Sequence, residues 1–66
     1  MKDLTPMLKE IVAVMELHGV KKPAIAIAFT AENEDYQECH WATNVSRENG
    51  ITLFKETANK MISQTN

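Results

Sequence analysis

Four segments of the chain carry apolar residues at regular spacing. Leu8, Ile11, Val12 and Met15, flanked by Met7 and Val14, recur at the three- and four-residue interval of a helix. Thr5-Pro6 is a helix start. A threonine hydroxyl can accept an early backbone N–H, and proline in the first turn gives up a donor that had no partner. Gly19 ends the segment and Pro23 prevents its resumption, so the pattern predicts a helix over residues 5–18.

The period then changes. Ile25, Ile27 and Phe29 alternate with Ala24, Ala26 and Ala28, which is the two-residue repeat of a strand. Glu32, Asn33, Glu34 and Asp35 form a polar break of hairpin length. Tyr36 to Val45 reads as the returning strand, with Cys39, Trp41 and Thr43 on one face and Tyr36, Glu38, His40 and Ala42 on the other. Ser46 is a helix cap, and Ile51, Phe54, Ala58, Met61 and Ile62 follow at helical spacing. Gly50 weakens the start of that helix by about 1 kcal/mol relative to alanine. Glu56 and Lys60 form an i,i+4 pair on its solvent side.

The order helix, strand, strand, helix predicts a single α+β domain over residues 1–66. Its simplest packing has two layers, α-β-β-α, with both helices on the large-residue face of an antiparallel hairpin, made by Ile25, Ile27, Phe29 and Trp41. The opposite face then carries Ala24, Ala26, Ala28 and Ala42, with His40 and Tyr36. Two strands alone are marginal, and both are edges. The expectation is a homodimer. Either hairpins pair edge to edge into a larger sheet, or the faces of Ala24, Ala26, Ala28 and Ala42 stack. The plainer alternative is that alanines are tolerated on a short exposed hairpin.

Length strengthens the expectation of a partner. A chain of 66 residues buries only about 60% of its unfolded surface, and such a core rarely supplies more than ~3–5 kcal/mol. Cys39 is the only cysteine, so no internal disulfide compensates. No apolar run reaches the roughly 18 residues of a membrane span. Glu10 and Glu16 interrupt the first apolar segment, unlike the core of a signal peptide, and with a lone thiol this points to the cytoplasm.

Charge narrows the partners. A net charge of −2 and a pI near 5.6 argue against general nucleic-acid binding. Residues 31–46 contain Glu32, Glu34, Asp35 and Glu38 and no lysine or arginine. Such a tip is either simply solvated or an acidic prong. As a prong, with Tyr36 and His40 beside it, it would dock on a host protein with a basic surface and make encounter salt-dependent.

The side chains that carry chemistry do not converge. Cys39 and His40 are neighbours on a strand and point to opposite faces, so Cys39 reads as a small buried hydrophobe. His18, at the end of the first helix, suits the C-terminal dipole there. One cysteine and two histidines do not make a metal site, and the acidic tip lacks the glycine and terminal glutamate of a calcium loop. There is no phosphate-binding glycine loop or nucleophile elbow. No catalytic residue, metal or cofactor is expected.

The stretch Trp41 to Met61, Trp-Ala-Thr-Asn-Val-Ser-Arg-Glu-Asn-Gly-Ile-Thr-Leu-Phe-Lys-Glu-Thr-Ala-Asn-Lys-Met, resembles the C-terminal half of small phage and prophage accessory proteins. There a strand ends in an Asn/Ser turn followed by Arg-Glu and an amphipathic helix. The resemblance covers about a third of the chain and implies a protein that binds and blocks a host component, such as a defence nuclease. It carries over no functional residue. The leading expectation is therefore a non-enzymatic protein-binding module acting through the acidic hairpin. The alternatives are a small-ligand or nucleotide site between subunits using His40, Trp41 and Lys22, and a nucleic-acid regulator using Lys21, Lys22 and Arg47.

Overall fold

The computed structural model describes residues 3–64. Helix α1 spans Thr5–Leu17, where the apolar spacing places it, but its cap differs. Thr5 is already helical and Leu4 stands at the cap position without a side-chain bond, while Asp3 before it receives the Thr5 donors. Asp3 Oδ1 accepts from the Thr5 hydroxyl at 2.7 Å and from the Thr5 N–H at 3.0 Å. The Thr5 hydroxyl, then its N–H, holds the Asp3 carboxyl below its ordinary value of 3.8. At the other end Gly19 takes a φ of 91°, which an L side chain would oppose. That turn lets Gly19 N–H reach Glu16 O at 3.1 Å and Val20 N–H reach Met15 O at 3.0 Å, satisfying two of the helix's last carbonyls.

Strands β1 (Ala26–Phe29) and β2 (His40–Thr43) pair antiparallel. Both are shorter than the alternation suggests. Asn44 continues the pairing beyond β2 with its side chain. Its Oδ1 accepts from Ile25 N–H at 2.8 Å, its Nδ2 donates to Pro23 O at 2.9 Å, and its backbone N–H donates to Ile25 O at 3.2 Å. The Thr43 hydroxyl also donates to Ile25 O, at 2.7 Å. Residues around Ile25 are thus tied to β2 without being strand.

The register corrects the expected faces. Ile27 sits opposite Ala42, and Ala28 opposite Trp41. Directly opposed residues share a face, so Trp41 belongs with Ala26, Ala28 and Thr43, while Ala42 and His40 belong with Ile27 and Phe29. A displacement of one residue in pairing exchanges every side chain between faces.

Helix α2 spans Arg47–Ser63 and is capped as expected, Ser46 Oγ accepting from Asn49 N–H at 3.2 Å. Gly50 does not fray it. Gly50 is buried, and a Cβ there would lie 3.2 Å from Thr43 Cγ2, so glycine is what lets this turn approach the sheet. Thr43 and Ala42 face opposite ways. Helix α2 therefore lies on the Ala26–Trp41–Thr43 face, whereas α1 packs Leu8 against Ile25 and Ala42. The α+β class, the antiparallel hairpin and its two packing helices hold. The helices, however, take opposite faces of the hairpin instead of sharing one.

The interior is small. Among the described residues the buried hydrophobic side chains are Leu8, Ile25 and Ala42, with Leu4, Ile11, Val12, Met15 and Ile27 packed around them. The chain exposes 5838 Å², against about 4,200 Å² for a compact monomer of its mass. Its radius of gyration is 13.4 Å, against about 10.8 Å for a compact chain of this length. Part of the reason is geometric. The 17 residues of α2 run about 25 Å, while a strand of 4 residues runs about 13 Å. The C-terminal half of α2 overhangs the sheet, leaving Met61 at 64% and Ile62 at 71% exposure.

Candidate interaction surfaces

Residues 30–39 join the two strands, a longer connection than a four-residue hairpin break. Ala31 O accepts from Glu34 N–H at 3.1 Å, closing a tight turn in which Asn33 takes a φ of 70°. Asparagine tolerates that conformation better than most residues. The chain then forms a 3₁₀ turn at Tyr36–Glu38 where strand was expected.

Two acids hold this loop in shape. Glu34 Oε1 accepts from Ala31 N–H at 2.7 Å. His40 Nε2 lies 2.9 Å from Glu34 Oε1 and 3.0 Å from Oε2. Facing a carboxylate, that nitrogen donates. The Ala31 N–H, then His40, holds the Glu34 carboxyl below its ordinary value of 4.5. The His40 ring in turn packs on Phe29, its cross-strand neighbour, with centroids 5.4 Å apart. Asp35 caps the 3₁₀ turn, Oδ1 accepting from Gln37 N–H at 3.4 Å.

The six residues assigned to partner contact therefore divide. Glu34, Asp35 and His40 build the loop. Glu32, Tyr36 and Glu38 are exposed, and Tyr36 is the most exposed large hydrophobic among the described residues, at 86%. Tyr36 and Glu38 do not belong to a strand face, because their backbone has left the sheet.

The alanine face is also divided. Ala24 and Ala28 are exposed and Ala26 is half-buried, and α2 crosses this side of the hairpin. Ala42 is buried on the other side against Leu8 and Ile25, so it cannot share a stacking surface with Ala24, Ala26 and Ala28. Small residues serve here to let helices approach the hairpin.

A cleft of about 370 Å³ opens between the sheet and α2, walled by Ala28, Cys39, Trp41, Ile51 and Phe54, with Arg47 at its edge. The Arg47 guanidinium carbon lies 6.0 Å from the centroid of the Trp41 ring, at the outer range of a cation–π contact. Cys39 is exposed here, contrary to the expected buried thiol. Of His40, Trp41 and Lys22, expected together at a ligand site, the first two line the cleft and Lys22 does not. Lys21 and Lys22 are exposed on the connection before β1, and Arg47 is in the first turn of α2. Among the described residues no three His, Cys, Asp or Glu side chains converge to hold a metal, and no helix is long and apolar enough to cross a membrane.

The clamp by Asn44 and the stacking of Arg47 over Trp41 were not anticipated from the sequence. Asn44 is a turn-former between a strand and a helix cap, and only the partner's position shows that its amide completes the sheet edge. No family model, curated protein or solved structure matches this chain.

Proposed function

We propose that this chain is a non-catalytic protein-binding module that presents Tyr36, flanked by Glu32 and Glu38, to the basic surface of a partner protein. The observation that carries the reading is the loop itself. A tyrosine exposed at 86% stands on a 3₁₀ turn pinned by Glu34, Asp35 and His40. Tyrosine is a frequent anchor of interfaces, and a loop already held in one shape loses less entropy on docking. The acids at its sides would steer a cationic surface toward it. The likeness of residues 41–61 to phage accessory proteins extends the proposal to an inhibitor that occludes a host protein.

Immobilised chain exposed to host lysate, with quantitative mass spectrometry, tests this. A genuine partner is captured by the wild type and lost on Tyr36→Ala and on Glu32→Lys/Glu38→Lys, with circular dichroism unchanged. Truncating a hot spot of ~2 kcal/mol corresponds to about thirtyfold in affinity. Equal capture by all three proteins would end the reading. Glu34 and Asp35 are unsuited to such reversal, since they hold the loop together.

The cleft favours a second reading, a small apolar ligand seated between Trp41 and Phe54 beneath Arg47. Its volume of about 370 Å³ falls at the small end of ligand pockets. A ligand at 100 times its dissociation constant stabilises the fold by about 2.7 kcal/mol. A metabolite panel giving no thermal shift removes this reading.

A further inference from the structure

The apolar stripe of α2 is continued on the hairpin by Trp41. Ile51 and Phe54 wall the same cleft as Trp41, and Ala58 and Met61 extend the row four and seven residues beyond Phe54. These helical positions fall within one face, and no charged residue shares it from 51 to 61. Trp41 is 51% exposed, Ile51 47% and Met61 64%. Val14 and Leu17, exposed on α1, are different, because Glu10 lies on the same face.

Area decides the occupant. The chain's 5838 Å² exceeds the compact expectation by about 1,600 Å². A standard interface removes about 800 Å² from each partner, so one symmetric contact fits within that surplus. The row is also suited to meet itself. Across a two-fold axis the same patch serves both subunits. Ala58, the smallest side chain of the row and near its middle, lets two antiparallel α2 helices approach closely.

We infer that the chain forms an isologous homodimer through α2, with Ala58 near the two-fold axis and Trp41 at the rim. This contact takes the place of the stacked alanine face expected from the sequence. It stands apart from the loop reading, and either can fail without the other.

Light scattering on pure protein at tens of micromolar gives twice the 7.5 kDa chain mass if the inference holds. Met61→Lys, on the overhanging part of α2, drives the mass to that of one chain, whereas Leu17→Lys leaves the dimer unchanged. Trp41, the only tryptophan, shifts its emission to the blue as concentration rises through the dimerisation range. A second variant reads the interface directly, without needing the released monomer to stay folded. In a Cys39→Ser background, Ala58→Cys oxidises to a covalent dimer under non-denaturing conditions, while Leu17→Cys does not. A folded monomer at these concentrations, a dimer that survives Met61→Lys, or a dimer in which Ala58→Cys fails to cross-link each overturns the inference.

Discussion

Leu8→Ala is the sharpest test of how little interior this fold has. Leu8 is 7% exposed and joins α1 to the hairpin through Ile25 and Ala42. The substitution removes three carbon atoms from the core. At about 0.8 kcal/mol per buried methylene the transfer loss is ~2.4 kcal/mol. A closed core would add a cavity penalty, but Ile11, Val12 and Met15 around Leu8 are only partly buried and can settle into the gap. The expected cost is therefore near the low end for such changes, about 2.5–3 kcal/mol. Against a total of ~3–5 kcal/mol for a core of this size, the variant lies at the edge of unfolding. With a urea dependence of ~1 kcal/mol/M, the midpoint falls by about 2.5 M. Helical circular dichroism through a urea titration measures it, and Leu17→Ala is the matched control. Leu17 is 84% exposed, so the same chemical change costs within about 0.5 kcal/mol. A midpoint shift below about 0.5 M for Leu8→Ala, or equal shifts for both, would show that the α1–hairpin contact is not what holds the fold.

Three further outcomes follow from particular contacts. Asn44→Ala leaves the Ile25 N–H and Pro23 carbonyl without their side-chain partners and lowers stability by about 1–3 kcal/mol, read by the same titration. Gly50→Val forces bulk against Thr43 and loosens α2 from the sheet, which faster amide exchange along α2 reports. Gly50→Ala is closer to neutral, since about 1 kcal/mol of helix propensity offsets a contact only a few tenths of an ångström too tight. The Glu34 carboxyl is held below its ordinary 4.5 in the folded state, so its contribution is present above that value and is lost as pH falls through the folded one. Urea midpoints at pH 6.5 and pH 3.5 then differ less in Glu34→Gln than in wild type. The exposed Glu32→Gln keeps the full difference, and equal differences for both variants would count against the role of Glu34.

The fold was legible where a segment's own pattern decided it. The apolar spacing of α1, the Ser46 cap and the alternation around Ile27 each name their element from local chemistry. What escaped was set by pairing between segments. Nothing in Ala24–Phe29 or Tyr36–Val45 states which residue of one strand meets which of the other, and a difference of one put Trp41 with Ala26 and Ala28, and Ala42 with Ile27 and Phe29. Each helix has a single stripe, which calls for one apolar surface but does not say which side of the hairpin provides it. The loop escaped for another reason. Tyr36, Gln37 and Glu38 continue an alternation that suits a strand, and only the pinning of Glu34 by His40 shows that the backbone turns before β2 begins. Acidity made residues 31–46 conspicuous, but composition does not separate acids that build a loop from acids that face outward. Gly50 illustrates the same limit. In isolation it weakens a helix, and its use appears only once Thr43 is opposite it.

Coupling between folding and association is what so small an interior implies, and melting at graded concentration tests it most directly. Thermal unfolding of the wild-type chain, followed by circular dichroism from about 2 to 200 µM, is expected to show a midpoint that climbs steadily with concentration, as mass action requires when a second copy stabilises the native state. A sharp, reversible transition at one fixed temperature across that range would mean that three buried side chains suffice, and would contradict the account.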